Sequence, residues 1–169
     1  MSTNSCQVAM VAWVLGVLAA SAQGESTWHV DDDNCPGPGS GTQADPFCSI
    51  QRGIDESING DEVIVRPGTY NETINFNGKA ITLRSSDGPA VTTIDGTLLN
   101  DSVVKCVSAE GPRTVLEGFT ITGGNASRGG GMSNLGSSPT VTNCTFSSNT
   151  ADTSGGGMYN KNSSPTVTN

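Results

Sequence analysis

The spacing of apolar residues changes twice along this 169-residue chain. Val8–Ala20 is an unbroken apolar run of 13 residues, too short to span a bilayer and the right length for a signal-peptide core. Ala20, Ser21 and Ala22 follow as a small-x-small cleavage site, so residues 1–22 are predicted to be a signal peptide. The segment before the run departs from the pattern, with no Lys or Arg; an uncleaved anchor is the alternative. Next, Phe47, Ile50, Ile54 and Ile58 recur at intervals of 3, 4 and 4, one apolar stripe on a helix of about three turns. Asp45-Pro46 marks its start and Asn59-Gly60 its stop, and Gly53 weakens it.

From Asp61 onward the period is that of strands. "EVIVRPGTY" leads, and short apolar runs follow at residues 73–76, 80–84, 91–95, 102–107, 114–122, 140–146 and 166–168. Between them lie turn signals such as "NGK", "SSDGP", "DGT" and "TGGN". No helical period interrupts the series.

Within it the chain repeats itself. Gly129–Asn143 and Gly155–Asn169 align without a gap at an offset of 26, and 12 of 15 positions are identical. The three that differ are Ser133/Tyr159, Leu135/Lys161 and Gly136/Asn162. An earlier, degenerate copy is visible: Phe119-Thr120-Ile121 precedes Cys144-Thr145-Phe146 by 25, and Val115 precedes Val141 by 26. Such periods mark solenoids. Regularly spaced leucines and helical periodicity are both missing, so the fold predicted is an all-β parallel β-helix. Each coil is one winding of the chain, and like side chains stack at about 4.8 Å, the ordinary distance between strands. Met132 is then expected on Met158, and Val141 on Val167. Asn134 on Asn160 and Asn143 on Asn169 are expected to form amide ladders.

Composition adjusts this picture in two ways. A net charge of −8 and a pI near 4.3 argue against a nucleic-acid partner, which requires a basic face. The cysteines gain meaning from export: Cys6 leaves with the signal, and Cys35, Cys48, Cys106 and Cys144 meet an oxidising compartment. Cys35 and Cys48 flank the turn-rich "PGPGSGTQADPF" and are the predicted disulfide. No cysteine or histidine spacing suggests zinc, and His29 is the only histidine.

The block "HVDDDN…DPFCSIQRGIDESINGDEVIVRPGTYNETINF…KAITLRS" resembles the N-terminal cap and first coils of secreted bacterial right-handed parallel β-helix proteins with the pectin-lyase-like fold. The resemblance implies a capping helix at about 49–59 and a first coil at 60–70. The later repeats are similar to those of polymorphic outer-membrane proteins, through Phe146-Ser147-Ser148-Asn149 and, more loosely, Gly129–Met132 and Gly155–Met158. It implies residence outside the cell or at its surface, on a fold that carries lyases, hydrolases, epimerases, adhesins and inert spacers. The enzymes among them act on acidic polysaccharides, with carboxylates gathered on adjacent coils.

Candidates for such chemistry are few. Asp31-Asp32-Asp33 is the densest acidic cluster; in a strand Asp31 and Asp33 share a face and are the candidate calcium ligands. A solvated strand end is the competing reading, and it belongs to the cap. Asp87 and Asp95 read as turn residues. Arg84, Lys105 and Glu117 face outward and are able to gather on one face, though no spacing requires it. His29 reads as a strand surface residue. No catalytic residue or organic cofactor is assigned. The domain plan is a signal at 1–22, a strand, disulfide loop and capping helix at 23–59, and coils at 60–169, with a C-terminal coil expected to be incomplete and prone to edge-to-edge self-association. The expected role is a structural or adhesive segment of a secreted, surface or outer-membrane protein with polysaccharide or cell-surface ligands; the N-terminal part of a polysaccharide-active enzyme is the runner-up.

Overall fold

The computed structural model describes residues 24–169, and the signal-like segment lies outside them. Among the described residues no helix is long and apolar enough to cross a membrane. The chain winds into a parallel β-solenoid of about four turns with one short α-helix.

Strand β1 (Thr27–Val30) leads into a single 3-10 turn (Asp32–Asn34), and α1 (Ile50–Glu56) follows. The helix is shorter than its stripe predicts. Ser49 caps it by accepting from the Arg52 N–H, and the Ser57 hydroxyl closes it by donating to the Gly53 carbonyl at 2.6 Å. Phe47 precedes the helix, its backbone bridged to Val30, and Ile58 falls beyond it, 41% exposed. Ile50 and Ile54 are fully buried over the open end of the first coil. Gly53 is needed for that seating: a Cβ there would lie 2.8 Å from a Val63 methyl, closer than packed carbons allow.

Each coil then contributes one strand to each of three sheets. The first sheet runs β1, β2 (Glu62–Val65), β5 (Thr82–Ser85), β8 (Val115–Glu117), β12 (Thr140–Thr142) and β16 (Thr166–Thr168). The second runs β3 (Gly68–Tyr70), β6 (Thr92–Asp95), β9 (Thr120–Thr122) and β13 (Thr145–Ser147). The third runs β4 (Ile74–Asn75), β7 (Val104–Cys106), β11 (Met132–Leu135) and β15 (Met158–Lys161). A further pair, β10 (Asn125–Arg128) and β14 (Thr150–Ser154), flanks the third sheet's approach. Alternate residues point inward. The core is therefore three columns: Val63–Leu83–Leu116–Val141–Val167, Tyr70–Ile94–Ile121–Phe146 and Ile74–Val104–Met132–Met158. The expected pairs Met132–Met158 and Val141–Val167 are in register.

Three details differ from the sequence expectation. Residues 114–122 and 140–146 each read as one run, yet each bends at a left-handed residue, Gly118 (φ 79°) and Asn143 (φ 49°), into two strands of different sheets. Glycine and asparagine are the residues that tolerate this conformation best. Val141 stacks on Leu116 and not on Val115, so the offset at this step is 25. Asn134 does form an amide ladder, donating from Nδ2 to Asn160 Oδ1 at 2.8 Å. Asn143 turns its corner instead, and its backbone N–H donates to the Thr168 carbonyl at 2.9 Å.

Candidate functional site

Most of the carboxylates that interrupt the apolar pattern serve the frame. Asp31 and Asp33 do not share a strand face, because the chain turns after Val30. Asp31 caps the 3-10 turn, accepting from the Asp33 N–H at 3.1 Å, and its other oxygen pairs with Arg66 at 2.7 Å. Asp33 is exposed, and Asp32 accepts from the Thr69 N–H at 3.0 Å. One carboxylate of the acidic run is neutralised by Arg66, another is taken by the Thr69 N–H, and no cluster of three potential metal ligands exists among the described residues. The Cys35–Cys48 disulfide is formed, with Cα atoms 5.0 Å apart, and closes the predicted loop. Cys106 and Cys144 are free; burial pushes both thiols up, away from the reactive thiolate.

Three carboxylates that the sequence reading passed over are the most deeply used. Asp61 accepts from the Ser26 and Ile58 N–H groups and from the Trp28 indole, tying β1 to the first coil. Burial pushes its pKa up, but these donors and the charge of Lys79 outweigh it, so the net shift is downward. Glu72 accepts from the Ile50 and Gln51 N–H groups at the start of α1; burial dominates and holds its carboxyl above the usual range. Glu110, 2% exposed, accepts from the Gly78 and Ser108 N–H groups and from the Ser137 hydroxyl, joining three stretches of chain far apart in sequence. Apart from the Ile58 and Ser108 N–H groups the partners lie on distant segments, so no local motif announces these roles.

Arg84, Lys105 and Glu117 do not gather. Arg84 and Glu117 are neighbours on β5 and β8, but Arg84 pairs with Glu62 of the preceding coil at 2.6 Å. Lys105 stands on the third sheet and pairs with Asp101 at 2.6 Å. Asp95 is the last residue of β6, and its carboxylate accepts from the Thr97 N–H at 2.8 Å to start the turn that follows.

The outer face of the third sheet is where the remaining polar groups converge. Asn75, Lys105, Ser133 and Tyr159 stack there as one outward column. Asp101 flanks Lys105, and the Arg128 guanidinium from β10 lies 5.5 Å from the centre of the Tyr159 ring. The result is an open strip with an aromatic platform, a stacked cation and an ion pair, Ser133 between them being buried, a mixture suited to a polyhydroxylated ligand. It is also where the two repeat copies diverge. Ser133/Tyr159 lie in this column, while Leu135/Lys161 and Gly136/Asn162 lie at or just past its exit, the latter pair both left-handed (φ 61° and 52°).

In architecture the chain is thus a parallel β-solenoid with a helical lid and an open outer strip. No family model, curated protein or solved structure matches it, so the likeness to pectin-lyase-like and outer-membrane repeats rests on the motifs quoted above.

Proposed function

We propose that this chain is a structural and adhesive segment of a secreted or cell-surface protein, contacting polysaccharide or other surface glycans through the outer strip of its third sheet, without catalysis by these residues. The observation that carries the reading is the division of labour between positions. Inward residues are copied between the two near-identical coils, and the differences fall on the outer strip and its exit corner. A scaffold that holds its frame constant and varies its exterior is a contact surface. The signal-like run at Val8–Ala20 and the disulfide support a location outside the cytoplasm.

The runner-up, a polysaccharide-active enzyme, draws on one observation: Asp101 and Lys105 place a carboxylate beside a base on this same strip. Adsorption to insoluble polysaccharides, measured by depletion from solution, tests the first reading. Tyr159→Ala is expected to lower adsorption while leaving the melting temperature unchanged; a wild-type chain that adsorbs to none of them overturns it. Release of reducing ends that disappears in Lys105→Ala replaces it with the second.

A further inference from the structure

A hollow of about 410 Å³ opens on a different face, the outside of the first sheet at its N-terminal end. Its floor and walls follow from the strand register. His29, Ile64 and Arg84 are consecutive outward neighbours on β1, β2 and β5, with Ile64 in the middle. Arg66 and Pro67 close the end where β2 leaves the sheet, Gln43 overhangs from the disulfide loop, and Asp87 stands on the turn after β5. The volume is in the range of small-molecule sites.

Two features call for an occupant. Ile64 is apolar at an outward position, where the same column carries Thr142 and Thr168 in later coils. The charges around it are also balanced. Arg66 is neutralised by Asp31 at 2.7 Å and donates to the Gln43 carbonyl, and Arg84 donates from Nε to Glu62 at 2.6 Å, leaving both terminal nitrogens of Arg84 for a ligand. Asp87 adds an acceptor on the rim. An anion would compete with Asp31 and Glu62 and meet Asp87, whereas a neutral ring with alternating donors and acceptors meets matching groups on every side.

We propose that this hollow is a subsite for one neutral sugar residue, its ring lying on Ile64 and Pro67 and its hydroxyls taken by Arg84, Gln43, Asp87 and His29. The groups facing the imidazole are Arg66, Arg84 and Glu62; burial first, then Arg66, lower its pKa, so His29 is uncharged at neutral pH and able both to donate and to accept. The choice of glycan probes rests on the adhesive reading above, but the subsite is on another sheet and is tested separately.

His29 is the only histidine, so its ring resonances in an NMR spectrum of the full chain report this hollow alone. Neutral tetrasaccharides of glucose, mannose and N-acetylglucosamine are titrated in turn, with tetragalacturonate at equal ionic strength as the acidic arm. At least one neutral tetramer is expected to move the His29 signals saturably. Ile64→Thr, which matches the later coils and keeps the fold as judged by an unchanged melting temperature, is expected to weaken that titration about tenfold, roughly one lost apolar contact. Signals that none of the neutral tetramers moves, that only tetragalacturonate moves, or that titrate unchanged in Ile64→Thr overturn the proposal. A Tyr159→Ala chain that adsorbs to polysaccharide as well as the wild type while His29 still titrates would fail the outer-strip reading and leave this subsite standing.

Discussion

The coils up to Cys106 and those after Thr114 solve the same stacking problem by different means. In the first group the inner column of the first sheet advances by 20 residues from Val63 to Leu83, and 33 more separate Leu83 from Leu116. In the second the steps are 25 to Val141 and 26 to Val167. The uneven coils are charge-rich and are tied by buried or half-buried carboxylates reaching backbone donors on other segments. The even coils have three charged side chains after Gly123, namely Arg128, Asp152 and Lys161, and rely on like-on-like stacking. Uniform spacing lets identical residues hold one another. Where spacing is irregular, specific polar ties must set the register instead.

Burial should give the largest contrast. Leu116→Ala removes a fully buried side chain from the middle of its column and is expected to cost about 2–5 kcal/mol in urea unfolding. Val167→Ala alters the same column where it is 58% exposed, and is expected to cost less than about 1 kcal/mol. Equal losses would mean that burial does not grade the energetics along this column. The polar ties come next. Glu110→Ala strands two backbone N–H groups and a hydroxyl in a buried corner, an expected loss of about 3 kcal/mol. Asn160→Ala removes one amide acceptor at an exposed rung, an expected loss of about 1 kcal/mol. The smallest effect is pH dependence at Asp61. Its folded pKa is lowered, so its contribution is present above the ordinary aspartate value of 3.8 and is lost as pH falls through the lower folded value. Glu72, with a raised pKa, acts in the opposite sense. Asp61→Asn is therefore expected to flatten the acid side of a stability–pH curve, and an unchanged curve would remove Asp61 from the account.

The even half of the solenoid was the more legible from sequence. Near-identical copies at one offset convert directly into stacked rungs, which is why Met132 and Val141 found their partners. Yet β10, β11, β14 and β15 were not recognised as strands. Gly129–Gly131 and the Ser and Asn around them have little strand preference of their own, and hydrogen bonds to the neighbouring coil make the flanking segments strands. The register slip at Val115 has the same origin: the alternation in "TVLEGF" admits two phases, and the bend at Gly118 selects the one with Leu116 inward. The helix was overextended because Phe47 and Ile58 are apolar for reasons outside the helix. As for candidate sites, the sequence does not tell on which sheet an outward residue stands, so neither the separation of Arg84 from Lys105 nor the approach of Arg128 to Tyr159 is legible in it.

The turn between the second and third sheets of this coil, from β6 to β7, has a practical meaning. The chain leaves the rung after Asp95, runs out through Leu98, 89% exposed with φ 66°, and Asn100 with φ 51°, and rejoins the stack at Val104 in register. Because the inner columns alone fix where the backbone must return, the excursion between departure and return has no prescribed length. The tip at Leu98–Leu99 is accordingly a natural mounting point for a grafted peptide, held on a rigid spool whose windings are indifferent to what hangs from them.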